Sequence, residues 1–267
     1  MKTKYINIAV TAALLLYGCE KVVKVDLNKA EPQIVIQGTI TDDPGPHYVS
    51  ISRSVPVDNS NIYPPVSGAS VVIKDITGGV TDVLTESTTL PGLYSTSNIQ
   101  GYEGRSYQLI VQADGKEYTA AATMPAAVVF DSVTFYTNTF FGTSITNPVP
   151  NFRDPGGVDN YYYFSQRVNK VPLKNFFTFD DRLSDGRYIS AQLFNDSNYI
   201  KKQDTVEVEM WCIQKDVFNY FTQIMEAQGR GNTGPVAAPS NPVSNISGGA
   251  LGFFSAHTVR RREAVFK

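Results

Sequence analysis

Histidine, cysteine, net charge and long apolar runs are all scarce in this sequence, and each scarcity closes a class of function. Only two histidines occur in 267 residues, His47 and His257. They fall in different halves of the chain, expected to be separate domains, and neither belongs to a His-x-Glu or His-x-x-x-His arrangement. A zinc or non-haem iron site needs convergent ligands, so none is expected. Serines are plentiful, but no Gly-x-Ser-x-Gly elbow occurs and His257 sits in an apolar strand segment, which leaves a nucleophile without its base. The paired carboxylates of a glycosidase are defined by distance in space, so spacing along the chain is silent on them. The expectation is a protein that is not an enzyme. Lys and Arg number 23 against 25 Asp and Glu, a net charge of −2, whereas phosphate binding requires a clustered basic surface; nucleic acid is excluded as a partner. The one basic run, Arg260-Arg261-Arg262, is expected on a solvated edge strand.

Two motifs carry the letters of a chemistry without its context. Gly229-Arg230-Gly231-Asn232-Thr233-Gly234 matches the dinucleotide fingerprint. That fingerprint works when the glycines follow a strand and open a helix, and here they follow a helix and run into a proline loop. Asp180, Asp181 and Asp185 ahead of Gly186 resemble a calcium loop, but no bidentate glutamate follows at loop spacing. They are assigned to an acidic surface turn. No cofactor and no metal are expected.

What the sequence does have begins at its amino terminus. Lys2 and Lys4 precede an apolar run from Ile6 to Leu16, broken only by Asn7 and Thr11, and the run ends in Leu14-Leu15-Leu16-Tyr17-Gly18-Cys19. A charged segment followed by a short apolar one is a signal peptide, too short for the roughly 20 apolar residues of a membrane span. A small residue directly before cysteine is the mark of a bacterial lipoprotein signal, although Tyr17 stands where a small residue is usual. The expectation is a signal peptide over residues 1–18, lipidation at Cys19 and a tether over 19–30. Two or more acyl chains hold a protein stably on a membrane, so no spanning helix is needed. Glu20, directly after the cysteine, fits a sorting or surface-export signal. With Cys19 lipidated, Cys212 beside Trp211 has no disulfide partner and is expected to be a buried, inert thiol.

Beyond the tether, short apolar runs alternate with turn residues. Strands are expected at 34–40, 47–55, 69–75, 81–86, 92–97, 106–112 and 117–123, the last two joined through Asp114-Gly115, a pair that takes positive φ readily. Seven short strands at this spacing predict an immunoglobulin- or transthyretin-like β-sandwich over residues 31–125. Met124-Pro125-Ala126-Ala127 marks the boundary, since proline does not continue a central strand. Residues 126–267 are expected to form a second β-rich domain with strands at 128–137, 160–168, 174–178, 187–194, 204–213 and 250–259. It carries one amphipathic helix over 215–227, predicted from apolar residues at helical spacing and the stop at Gly229. The overall class is all-β. Among the aromatics, Tyr162 and Phe164 are assigned to the core, while Tyr161 and Tyr163, alternating with them, and Phe140 and Phe141, in an expected loop, are the candidate exposed contacts.

Taken together these stretches resemble a known family. Ile34-Val35-Ile36-Gln37-Gly38-Thr39-Ile40-Thr41-Asp42, Pro91-Gly92-Leu93-Tyr94, Phe152-Arg153-Asp154-Pro155 and the closing 241–254 run ending Gly248-Gly249-Ala250-Leu251-Gly252-Phe253-Phe254 are similar to the Bacteroidota outer-membrane lipoproteins classed as domain of unknown function 4249. The resemblance implies an accessory lipoprotein at the outer membrane, more on its extracellular than its periplasmic face, that partners a TonB-dependent β-barrel transporter in nutrient uptake. It carries over no catalytic residue. Direct binding of a glycan or peptide, and a structural role in the envelope, stand as the alternatives.

Overall fold

The computed structural model describes residues 31–56, 62–140, 142–195, 197, 199–229 and 241–267. Pro32–Lys267 is one compact unit. Its first half holds β1 (Ile34–Thr41), β2 (Tyr48–Arg53), β3 (Ser70–Asp75), β4 (Val80–Val83), β5 (Thr85–Glu86), β6 (Leu93–Ser95), β7 (Ser106–Ala113) and β8 (Lys116–Thr123). Its second half holds β9 (Phe130–Phe140), β10 (Thr143–Arg153), β11 (Tyr161–Val168), β12 (Val171–Asp180), β13 (Tyr188–Ser190), β14 (Thr205–Ile213), α1 (Lys215–Ala227) and β15 (Leu251–Val265). The all-β class with one helix is as the sequence predicts, and among the described residues no helix is long and apolar enough to cross a membrane.

Among the described residues three sheets form: an eight-stranded one in the order β12-β11-β14-β15-β1-β2-β6-β5, a four-stranded β4-β3-β7-β8 and a three-stranded β13-β10-β9. The largest sheet runs across the boundary expected at residue 125. The reason is β15, whose first half pairs in parallel with β1 (Ile36 opposite Gly252) and whose second half pairs antiparallel with β14 (Trp211 opposite Val259). Strand alternation then sends side chains into separate cores. Ile36, Ile40, Val49, Ile51, Leu109 and Phe254 fill one between the β1 end of the large sheet and the four-stranded sheet. Phe152, Tyr162, Phe164, Val208 and Met210 fill another beneath the three-stranded sheet, Phe152 meeting Tyr162 with ring centroids 4.9 Å apart. The helix α1 covers the opposite face of β11, β14 and β15 through Val217, Tyr220 and Phe221.

The closing glycine-rich stretch places β15. Gly252 has φ of +103°, and a Cβ there would lie 1.9 Å from the Ile36 carbonyl oxygen, so only glycine lets the strands approach this closely. Asn245 brackets the same strand, its amide donating to the Phe254 carbonyl (2.8 Å) and accepting from the Phe254 N–H (2.9 Å).

Three expectations are corrected. The strand β10 was hidden by Pro148 and Pro150, and the expected loop around Phe140 is the end of a β9–β10 hairpin. The basic run lies on the half of β15 that has, among the described residues, a strand on one side only, β14; Arg261 and Arg262 are exposed there, as expected of an edge, while Arg260 is half-buried and pairs with Asp42, and Arg261 pairs with Asp43 and Glu209. The strand at 187–194 is assigned only as Tyr188–Ser190. Its continuation still donates from Ala191 and Leu193 to the Pro150 and Pro148 carbonyls (3.1 and 3.0 Å), but proline has no N–H to return the bond. Finally, the two histidines are brought together rather than kept apart. Thr41 lies opposite His257 in the β1–β15 register and donates its N–H to His47 Nδ1.

Candidate functional site

The strands β12 and β13 are consecutive in the chain but belong to different sheets, and the hollow left between them is the candidate site. Strand β12 starts from a two-residue turn in which Asn169 and Lys170 both have positive φ (50° and 70°), a hairpin geometry that lysine does not advertise in sequence. Asn169 is fixed there by donating to Asp204 (2.8 Å) and accepting from the Thr205 N–H (3.0 Å). From this turn β12 pairs with β11, Phe177 opposite Phe164 and Phe179 opposite Tyr162, and its other edge is the end of the eight-stranded sheet. The facing wall is Ser190–Asn195, held against β10 by the two bonds to proline carbonyls.

The cleft between these walls has a volume of about 640 Å³, within the usual range for ligand sites. Phe164 lies at its floor; Phe176, Phe177 and Phe179 line one wall, Gln192 and Phe194 the other, and Met225 of α1 closes one side. Every lining side chain is uncharged. Phe194 is 65% exposed at the rim, and the buried Gln192 Nε2 has no acceptor among the described residues. The Asn195 amide is already engaged with Gln166 (2.6 Å), and its N–H donates to Asn147 Oδ1 (2.8 Å). A second hollow of about 620 Å³ is lined by Arg167, Lys170, Glu207 and Glu263 among others, with Arg167 paired to Glu207 at 2.5 Å. That one is a charged outer surface.

At the closed end of the splayed pair sits an acidic knot. Asp154, Asp181 and Asp185 bring carboxylate oxygens within 4.8 Å of one another, Asp154 and Asp181 being 1% and 4% exposed. The structure thus replaces Asp180 of the expected acidic turn with Asp154, while Asp180 pairs with Arg182. Each carboxylate of the knot already accepts from the chain: Asp154 from the Tyr162 hydroxyl and the Gly186 N–H, Asp181 from the Asn160 N–H (2.8 Å), and Asp185 from the Gly157 N–H (2.7 Å). These bonds tie the 154–157 turn to the 181–186 turn, which fixes where β12 ends and β13 begins. Burial, with the neighbouring Asp154 and Asp185 charges behind it, holds the Asp181 carboxyl above the usual carboxylate range.

The aromatics singled out in sequence divide. Tyr161 and Tyr163 are corrected: their face is not exposed but lies under α1. Tyr161 packs on Phe218 (5.1 Å), and Tyr163 stacks on Trp211 (4.3 Å) and Phe176 (5.4 Å) against Phe221 (4.7 Å). Burial raises the Tyr163 hydroxyl pKa, with the Glu209 charge adding to it. Tyr162 and Phe164 are fully buried, as alternation predicts. Phe141, the Phe140 side chain, Cys19 and the glycine fingerprint beyond Gly229 lie outside the described residues. Cys212 is a buried free thiol whose pKa is raised by burial. Gln192, Phe194 and Asn195 were not found from sequence, because nothing in their spacing distinguishes the wall of a cleft from an ordinary strand.

No curated protein matches the chain. A family described as Domain of unknown function (DUF4249) matches residues 20–263, which spans all three sheets, the helix and the cleft. The chain therefore belongs to the DUF4249 family.

Proposed function

We propose that this protein is a lipid-anchored accessory protein of the outer membrane, exposed on its extracellular face, that partners a TonB-dependent β-barrel transporter in nutrient uptake and is not itself an enzyme. The observation that carries the reading is the stretch Leu14-Leu15-Leu16-Tyr17-Gly18-Cys19 behind Lys2 and Lys4. Acyl chains on Cys19 contribute about 0.8 kcal/mol per buried methylene, which confines the folded part to the membrane surface, where a transporter is within reach of its tether. The fold agrees with a binding role. Its buried ionisable groups serve packing and turn geometry, and the uncharged cleft beside β12 is lined by aromatic and amide groups.

The test is metabolic labelling with a palmitate analogue together with recovery of the tagged full chain from detergent-solubilised membranes. Labelling that disappears in Cys19→Ala, with a β-barrel transporter recovered alongside the wild type and protease cleavage on intact cells, is the expected result. An unlabelled chain overturns the anchor. A labelled chain recovered only as a free monomer overturns the transporter partnership.

A further inference from the structure

We infer that the cleft between β12 and Ser190–Asn195 binds an extended, uncharged peptide segment of a partner protein by strand addition. This inference stands independently of the membrane anchor and of the transporter assignment.

The argument starts from the main chain. The outer edge of β12 ends the eight-stranded sheet, and among the described residues no strand lies beside it. On the opposite wall Ala191 and Leu193 direct their N–H groups to β10. In extended chain successive N–H groups point to opposite sides, so those of Gln192 and Phe194 face away from β10, and neither has an acceptor among the described residues. Both walls line the same cleft. It is therefore bordered on two sides by strand edges that no described strand covers, the arrangement an extended peptide satisfies with its own backbone. A sheet-forming segment of five residues is about 17 Å long, comparable with the wall from Ser190 to Asn195.

Side-chain chemistry selects the class of segment. Among the described residues no charged one lines the cleft, so a charged peptide would lose its hydration without gaining an ion pair. Phe177 and Phe179 are half-buried, and Phe194 overhangs the rim, giving apolar surface to alternate side chains of an added strand. The unpartnered Gln192 Nε2 offers a donor to a carbonyl or hydroxyl entering between them. A glycan would depend on side-chain amides instead, and Asn195 is already spent on Gln166.

The experiment is panning of the full-length protein against a phage library of nine-residue segments built from uncharged residues, with counter-selection on Phe194→Asp. Phe194 is 65% exposed, so that variant keeps its fold, which circular dichroism checks. Selected peptides made synthetically should lose affinity by at least about tenfold, or 1.4 kcal/mol, on Phe194→Asp and measurably on Gln192→Ala. On binding they should slow amide exchange along Val171–Asp180 and at Gln192 and Phe194, and N-methylation at alternate peptide positions should abolish this. The inference is overturned if no peptide survives counter-selection, or if the survivors leave exchange at both edges unchanged. It is overturned equally if a panel of neutral glucan oligosaccharides, rather than peptides, protects those amides.

Discussion

His257 shows how much a single residue depends on where β15 places it. It is 1% exposed, stacked on Trp211 with ring centroids 4.2 Å apart, and its Nδ1 is bonded to the Ser255 hydroxyl at 2.9 Å. Burial holds its pKa down to about 3, with the His47 and Arg261 charges acting in the same direction. His47 is lowered as well, by burial against the opposing pull of Asp43. A histidine depressed in the folded state leaves stability intact above its unfolded value, near 6.5, and withdraws it as the pH falls below that value, because the unfolded chain takes up the proton first. For His257 the window runs from about 6.5 down to about 3. Acidification from pH 7 to pH 5 should therefore cost about 2 kcal/mol through this residue alone. Urea denaturation of wild type and His257→Gln at the two pH values measures it: the variant should lose about 2 kcal/mol less than wild type over that interval. Equal losses would mean that His257 is not held neutral.

Among elements, β15 carries the most consequence for its length. Its arginines lock the Asp42–Asp43 turn, its apolar residues enter the first core and the helix-covered cluster, and its glycine permits the contact with β1. Gly252→Ala should destabilise the protein by more than about 3 kcal/mol, since it adds backbone strain of about 1–2 kcal/mol to a clash with the Ile36 carbonyl that cannot relax without separating the strands. Gly115→Ala is the control. Gly115 also has positive φ (72°), but a Cβ there meets nothing within 4 Å, so only the backbone strain of about 1–2 kcal/mol should appear. Equal losses in chemical denaturation would show that the β1–β15 approach is not tight. The element scale is also where sequence and structure part. The 215–227 helix was legible to the residue because apolar spacing and a glycine stop agree. The strand β10 was not, because Pro148 and Pro150 argue against a strand within a sheet. Their missing donors are tolerated on the side where the wall of the cleft donates to their carbonyls and receives nothing back.

At the scale of the whole molecule, alternation and turns made the strands legible, but pairing between distant strands leaves no local signal. The sequence therefore suggested a sandwich that closes at residue 125. It has its own core residues and turn-bounded strands, and nothing near Ile34 indicates that its parallel neighbour lies more than 200 residues away. For the same reason the cleft was invisible: its two walls are ordinary strand stretches until they are seen to join different sheets. The consequence is testable. In a fragment of residues 31–125, β1 keeps β2 but loses β15, and the first core loses Ile246, Ala250, Phe254 and Ala256. Phe254 is fully buried, its ring only 3.1 Å from where a Gly38 Cβ would stand. Its absence alone would forfeit about 3–5 kcal/mol, a large part of the 5–15 kcal/mol that typically holds a domain folded. The isolated fragment should therefore lack a cooperative unfolding transition, whereas the full chain should unfold with coincident near- and far-ultraviolet circular dichroism changes. A fragment that melts cooperatively by itself would show that the first core is sufficient and that β15 is an addition to a domain already complete.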